Sequence, residues 1–197
     1  AVIAIENVRL FQELQARTGE LARSVEELKA LGEVGQAVSS TLDLETVLTT
    51  IIARALQLSG AGGGGIYEYD EATQEFYLRA THRMEDELVD VLRAAPVRLG
   101  EGASGQAAVA RAPVQVPDLL DDRESAVARF RPILARLGYR SALAVPLLLE
   151  QRILGALTVW RRESGTFAPE VVNLLQTFAT QSVLAIQNAR LFREIEE

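Results

Sequence analysis

Between Val2 and about Ser39 the chain has no proline, and apolar residues return at helical spacing. Leu14, Leu21 and Leu28 are seven apart, with Phe11, Val25, Leu31 and Val38 in neighbouring positions. Spacings of three and four give a seam suited to pairing with a second helix. Gly19, Gly32 and Gly35 weaken it, so the expected coiled coil is marginal. Ser39 to Asp43 then break the pattern. Asp43 or Thr41 is placed to cap a second helix that runs to Ser59, with Glu45 favourable in its first turn. Val47, Leu48, Ile51, Ile52, Ala55 and Leu56 form its apolar face, and Gly60 to Gly65 stop it.

Two-residue alternation takes over after the glycines. Ile66 to Tyr69 and Glu75 to Ala80 read as a hairpin around Asp70 to Thr73. Glu85 to Ala94 reads as a short helix, Pro96 to Leu99 as extended chain, and Gly105 to Arg111 as another small helix. Val114 to Val116 is a short strand ended by Pro117, and Phe130 to Leu137 one or two helical turns. Ser141 to Leu149 and Ile153 to Trp160 are nearly continuous apolar runs and belong in mid-sheet. Pro146 therefore has to sit at a bulge or on an unpaired side. Pro169 opens a final helix carrying Val172, Leu175, Phe178, Ala179, Val183, Ile186 and Leu191. The fold class is α+β. Hairpin connections make the sheet antiparallel, with the N- and C-terminal helices packed on one face.

The two ends of the chain carry one phrase. Residues 4–14 read AIENVRLFQEL and residues 185–195 read AIQNARLFREI, identical at seven of eleven positions. The expectation is a tandem array. Residues 1–31 continue the exit helix of a preceding repeat as a linker, and residues 32–197 form one complete domain with its own exit helix. Leu14, Leu21, Val25 and Leu28, with Asn188, Leu191 and Ile195, are the expected homodimer contacts.

Composition narrows the chemistry. There is no cysteine in the 197 residues. This removes disulfides, thiolate metal sites and thiol nucleophiles. The net charge of −7 argues against nucleic acid as a partner. The apolar runs are too short to span a bilayer. His82 is the single histidine, which argues against heme ligation and against a Ser104-based triad. Gly62 to Gly65 lack the Lys-Ser/Thr of a phosphate loop and lead into a strand, so they read as a flexible or closely packed entry to that strand. Asp118, Asp121, Asp122 and Glu124 lack calcium-loop spacing, so no metal site is expected.

Three stretches together resemble the GAF family of sensory domains. They are Leu99 to Ala108 (LGEGASGQAA) with Pro113-Val114 and Val116-Pro117-Asp118; Ser141 to Leu147 with Gly155-Ala156-Leu157; and Phe167 with Leu174 to Ala179 and Ala185 to Leu191. The resemblance covers about residues 30–195. It implies a sheet with a ligand pocket under short helices on the face away from the bundle. The helical flanks are similar to those of bacterial signalling proteins in which such domains precede a histidine kinase. Members that bind cyclic nucleotides carry an Asn-Lys, Phe, Asp-Glu pattern. Phe167 could match the phenylalanine, but Val171 and Val172 stand where the acidic pair belongs. Bilin attachment and methionine-sulfoxide reduction use cysteines that this chain lacks. The pocket candidates are Tyr67, His82, Ser104, Phe130, Tyr139, Leu143 and Trp160.

The function expected is a non-catalytic cytoplasmic regulatory module, a homodimer that relays ligand or partner state to an output domain. The ligand, if one binds, is an unidentified small molecule. The alternative is a structural spacer with a degenerate pocket. A third reading, a small redox or hydrolytic enzyme, has little chemistry to stand on with one histidine and no thiol.

Overall fold

The computed structural model describes residues 2–40, 43–121 and 129–196, leaving the side chains of 28–40, 193 and 196 outside the described set. Contacts divide the chain into two units, Ala1–Ser40 and Thr41–Glu197.

The first unit is one helix, α1 (Val2–Ser40). Its described large apolar residues are bare: Leu14, Leu21 and Val25 are 63%, 65% and 58% exposed. The side chain of Leu28 lies outside the described residues. Within the helix, Arg17 donates to Glu13 one turn back at 3.2 Å, a pairing that adds a few tenths of a kcal/mol.

The second unit opens with α2 (Leu44–Ser59). Asp43 caps it, accepting from the Thr46 amide and hydroxyl; Thr41 lies outside the described residues. Gly60 ends it in the left-handed conformation, its N–H on the Leu56 carbonyl. The six apolar residues expected on the inner face of α2 are all buried.

Six antiparallel strands follow in the order β3-β2-β1-β6-β5-β4. They are β1 (Gly63–Asp70), β2 (Glu75–His82), β3 (Val97–Arg98), β4 (Val114–Val116), β5 (Ser141–Leu149) and β6 (Arg152–Arg161). Between them run α3 (Asp86–Ala94), α4 (Gly102–Ala110) and α5 (Arg131–Arg136), and α6 (Pro169–Glu196) closes the chain. The helices α2 and α6 pack on each other and on the sheet. On that face the side chains of Ile52 and Val159 both close on Gly64. On the other face Tyr67, Phe76, Ala142, Ala156 and Trp160 join α3, α4 and α5 in a second core.

Three boundaries shift by two residues or more from the sequence expectation. β1 begins at Gly63 rather than Ile66, because Gly63, Gly64 and Gly65 pair with Trp160, Val159 and Thr158 of β6. A side chain at Gly63 would stand 2.8 Å from the Arg83 carbonyl. The glycines are strand residues whose neighbours leave no room. α4 begins at Gly102 rather than Gly105, since the Gly105 amide already closes a turn on the Glu101 carbonyl at 2.9 Å. β2 runs on to His82 rather than ending at Ala80, because Thr81 and His82 still pair with Gly65 and Gly64.

Pro146 pairs with Ala156, one residue before a register shift at Leu147/Leu148. β4 reaches only as far as Ala144 along β5. A missing amide at Pro146 therefore breaks no ladder on that side. Gly155 is the tightest point of the sheet: a Cβ there would lie 1.9 Å from the Tyr67 carbonyl oxygen.

Candidate functional site

The second core encloses a cavity of about 40 Å³. Tyr67 of β1, Ala142 of β5, and Thr158 and Trp160 of β6 form its floor. Leu88 and Leu92 of α3, Val97 of β3, and Gly102, Ala103 and Ser104 of α4 form its walls; Leu119 of the loop after β4, Phe130 just before α5 and Leu134 within α5 cover it. These residues meet because strand alternation sends positions 67, 142, 158 and 160 to one face. The spacing of Leu88 and Leu92 likewise turns one side of α3 toward that face.

Among the described residues the lining carries three hydroxyls and the indole N–H of Trp160 as its polar side-chain groups, and no charged one. Ser104 and Thr158, both buried, share a hydrogen bond of 2.6 Å. Tyr67 is 1% exposed, and burial alone drives its phenol well above the ordinary range. Tyr139 sits beside Trp160, ring centroids 6.4 Å apart. Its hydroxyl donates to Glu85 at 2.7 Å. Burial first, then that bond and the Glu85 charge, push its phenol up as well.

Ion pairs fasten the covering elements around the rim. Glu85 accepts from Arg162 at 2.5 Å, and the Arg162 guanidinium lies 4.7 Å over the Tyr139 ring. Glu101 takes both a 2.9 Å and a 2.7 Å bond from Arg129. Asp118 is held by Arg140, and Glu87 of α3 by Arg136 of α5. The guanidinium hydrogen bonds hold the Asp118 and Glu87 carboxyls below their usual range. Each rim carboxylate named here thus has an arginine, and none of these groups lines the cavity.

The opposite face of β1 holds a second arrangement. Glu68, 8% exposed, accepts from Arg79 of β2 at 2.8 Å and from Arg190 of α6 at 2.8 Å. Successive strand residues point to opposite faces. The cavity side chain Tyr67 and the helix anchor Glu68 are therefore chain neighbours. The ladder to β2 slips at this point, between Ile66 and Tyr67.

Of the residues expected in a pocket, Tyr67, Ser104, Phe130 and Trp160 come together on the lining. Tyr139 is fully buried behind Trp160, with its hydroxyl on the rim. Leu143 is buried but alternates with Ala142 and so sits on the helical face of β5. His82 is half-buried at the end of β2, paired with Gly64 away from the cavity. Thr158 was not anticipated, although it is the one hydroxyl in the apolar run Ile153 to Trp160. Glu68 and Arg190 were missed too. A charge flanked by Tyr67 and Tyr69 in a strand was the available signal. Asp122 and Glu124 of the acidic loop lie outside the described residues. Among the described residues no cluster of His, Asp and Glu is arranged to hold a metal, and no helix is long and apolar enough to cross a membrane.

Exposed apolar residues mark α6. Leu191 and Ile195 are 50% and 79% exposed, and Asn188 is exposed one turn before Leu191.

The chain belongs to the GAF domain family, whose model matches residues 41–187. Solved structures agree with the fold. The GAF domain of a phosphoenolpyruvate-protein phosphotransferase from Coxiella burnetii superposes with a TM-score of 0.71 at 24% identity, covering 85% of this chain and 96% of that one. Free methionine-R-sulfoxide reductase from Neisseria meningitidis, solved with its substrate, gives 0.66 at 20% identity, covering 82% and 89%. A domain of a protein described as a two-component sensor histidine kinase from Sinorhizobium meliloti 1021 gives 0.63 at 17%, covering 78% and 96%. No curated protein sequence matches the chain. The fold thus occurs both in a protein described as a sensor histidine kinase and in an enzyme.

Proposed function

We propose that this chain is a non-catalytic, cytoplasmic sensory module. It dimerises through its helices and passes the state of its pocket to an output domain such as a histidine kinase. The observation that carries this reading is the adjacency of Tyr67 and Glu68. One residue lines the cavity and the next grips the last helix through Arg190. A small displacement of β1 by an occupant would therefore reach α6 without passing through a loop. Packed interfaces convert such displacements into discrete changes of helix register. Leu14, Leu21, Val25 and Leu28 of α1 pair with the same residues of a second copy, and Asn188, Leu191 and Ile195 of α6 do likewise. Asn188 fixes that register as a polar residue in an apolar seam. Catalysis is disfavoured because three hydroxyls without a neighbouring base or thiol make no activated nucleophile.

The experiment has two parts. Light scattering at tens of micromolar should report a dimer for the chain and a monomer for Leu21→Asp/Leu28→Asp. In the full-length protein, a one-residue insertion after Glu197 should change output strongly and a seven-residue insertion little. A monomeric parent chain, or equal effects of the two insertions, would overturn the relay. A second reading, a structural spacer, draws on the small size of the cavity. Native mass spectrometry of freshly purified protein separates the two, since a spacer copurifies with no ligand.

A further inference from the structure

The phrase shared by residues 4–14 and 185–195 has two sides in α6. Positions 185, 186, 189 and 190 lie together on one side of the helix, and 188, 191, 192 and 195 on the other. The first side is docked: Ala185 and Ile186 are buried, and Arg190 donates to Glu68 at 2.8 Å. The second side, Asn188, Leu191, Phe192 and Ile195, is exposed.

α1 carries the same two sides in the same order. Its inner side is Ala4, Ile5, Val8 and Arg9, and its outer side Asn7, Leu10, Phe11 and Leu14. Each side matches α6 at three of its four positions. Yet every residue from Ala4 to Leu14 is exposed, and Ile5 is 72% exposed where Ile186 is 0%. Leu21 and Val25 fall on the outer side with Leu14, so the pairing of α1 proposed above leaves the inner side uncovered.

Electrostatics narrows what covers it. An isoleucine gains from burial against any apolar surface. The arginine beside it needs a carboxylate, because an uncompensated buried charge is strongly destabilising. In α6 the carboxylate that meets an Ala-Ile-x-x-x-Arg face is Glu68, on a central strand of a sheet that comes before the helix in the chain. The Glu68 of a second copy does not fit, since its own Arg79 and Arg190 already occupy both carboxylate oxygens.

We infer that Ala4, Ile5 and Arg9 dock on a second domain of this fold preceding α1, and that Arg9 holds a glutamate on that domain's central strand as Arg190 holds Glu68. The partner is an antiparallel sheet whose helix-packed face offers one buried carboxylate among apolar residues. The inference goes beyond the relay, and failure of the insertion test above would leave it standing.

Hydrogen exchange resolved along the full-length protein tests it. Arg9→Ala should raise the open fraction of the segment before α1 roughly tenfold, the effect of one lost charged hydrogen bond. Arg190→Ala should do the same to residues 41–197. Ile5→Ala should act in the same direction as Arg9→Ala. Arg17→Ala, which removes the same charge from the same helix outside the phrase, should leave that segment unchanged. Arg9→Lys keeps the charge, should lose less, and serves if Arg9→Ala does not fold. In the chain of 197 residues Ile5→Ala and Arg9→Ala should change neither the melt of residues 41–197 nor the oligomeric state. Equal effects of Arg9→Ala and Arg17→Ala in the full-length protein would overturn the inference. So would a full-length protein without a domain of this fold before α1. Dissociation of the 197-residue chain by Arg9→Ala would assign the inner side to a second copy and overturn it as well.

Discussion

Arg190 of the last helix donates from Nη2 to Oε1 of Glu68 in β1 at 2.8 Å, while Arg79 of β2 holds the other carboxylate oxygen at 2.8 Å. The carboxylate is 10% exposed and the two guanidinium side chains 34% and 50%. A carboxylate so nearly buried needs its partners, because an uncompensated buried charge is strongly destabilising.

Removing the helix partner should therefore cost more than a surface ion pair and less than a fully buried one. Arg190→Ala is expected to lower stability by about 1–2 kcal/mol. For a chain of this size that is roughly 3–6 °C in Tm. In a double-mutant cycle with Glu68→Ala, the loss at Arg190 should largely disappear. Thermal melts of the four proteins check this, and strictly additive losses would refute a direct coupling.

Ser104 and Thr158 form a similar unit inside the cavity wall, tying α4 to β6. Ser104→Ala or Thr158→Val alone leaves one buried hydroxyl facing nothing, so each should cost about 1–2 kcal/mol. The double variant should cost little more than either one. Urea midpoints give the comparison, and a sum near the two single losses would count against the shared bond.

Two glycines should respond in opposite directions to alanine. A Cβ at Gly155 would run into the Tyr67 carbonyl. A backbone that cannot yield makes Gly155→Ala destabilising by about 3 kcal/mol or more. Gly19 in α1 has nothing within 4 Å of a Cβ, so Gly19→Ala should raise helix content and add up to about 1 kcal/mol to that helix. Circular dichroism during denaturation distinguishes the two; a harmless Gly155→Ala would contradict the close approach of β1 and β6.

Alkali should act through the buried phenols. Tyr67 and Tyr139 both hold their protons above the ordinary phenol value near 10. Above that value the unfolded chain releases protons that the folded chain keeps, so stability falls as pH rises. It is complete below about pH 10 and declines beyond it. Tyrosinate absorbance from these two residues should appear together with loss of near-ultraviolet dichroism. Ionisation well before unfolding would show that the two side chains reach solvent in the folded state.

The sequence by itself determined the elements and the family. Helical spacing at Val47, Leu48, Ile51 and Ile52, the Asp43 cap and the apolar runs on either side of Glu150 are local signals, and local backbone chemistry realises them. The LGEGASGQAA stretch carried the resemblance because its glycines serve a turn that only they tolerate; a Cβ at Gly105 would stand 2.4 Å from the Arg98 carbonyl. Only the tertiary structure decided which aromatic residues share a cavity. Tyr139 and Leu143 looked as eligible as Tyr67 and Phe130. Strand register turns Leu143 to the helical face, while Tyr139 packs in the same core as Tyr67 and Phe130 but behind Trp160, off the lining, and no pattern within either segment records this. The same holds for Glu68 and Arg190. They are 122 residues apart, and their pairing exists only because β1 lies at the centre of the sheet, on the face where α6 packs.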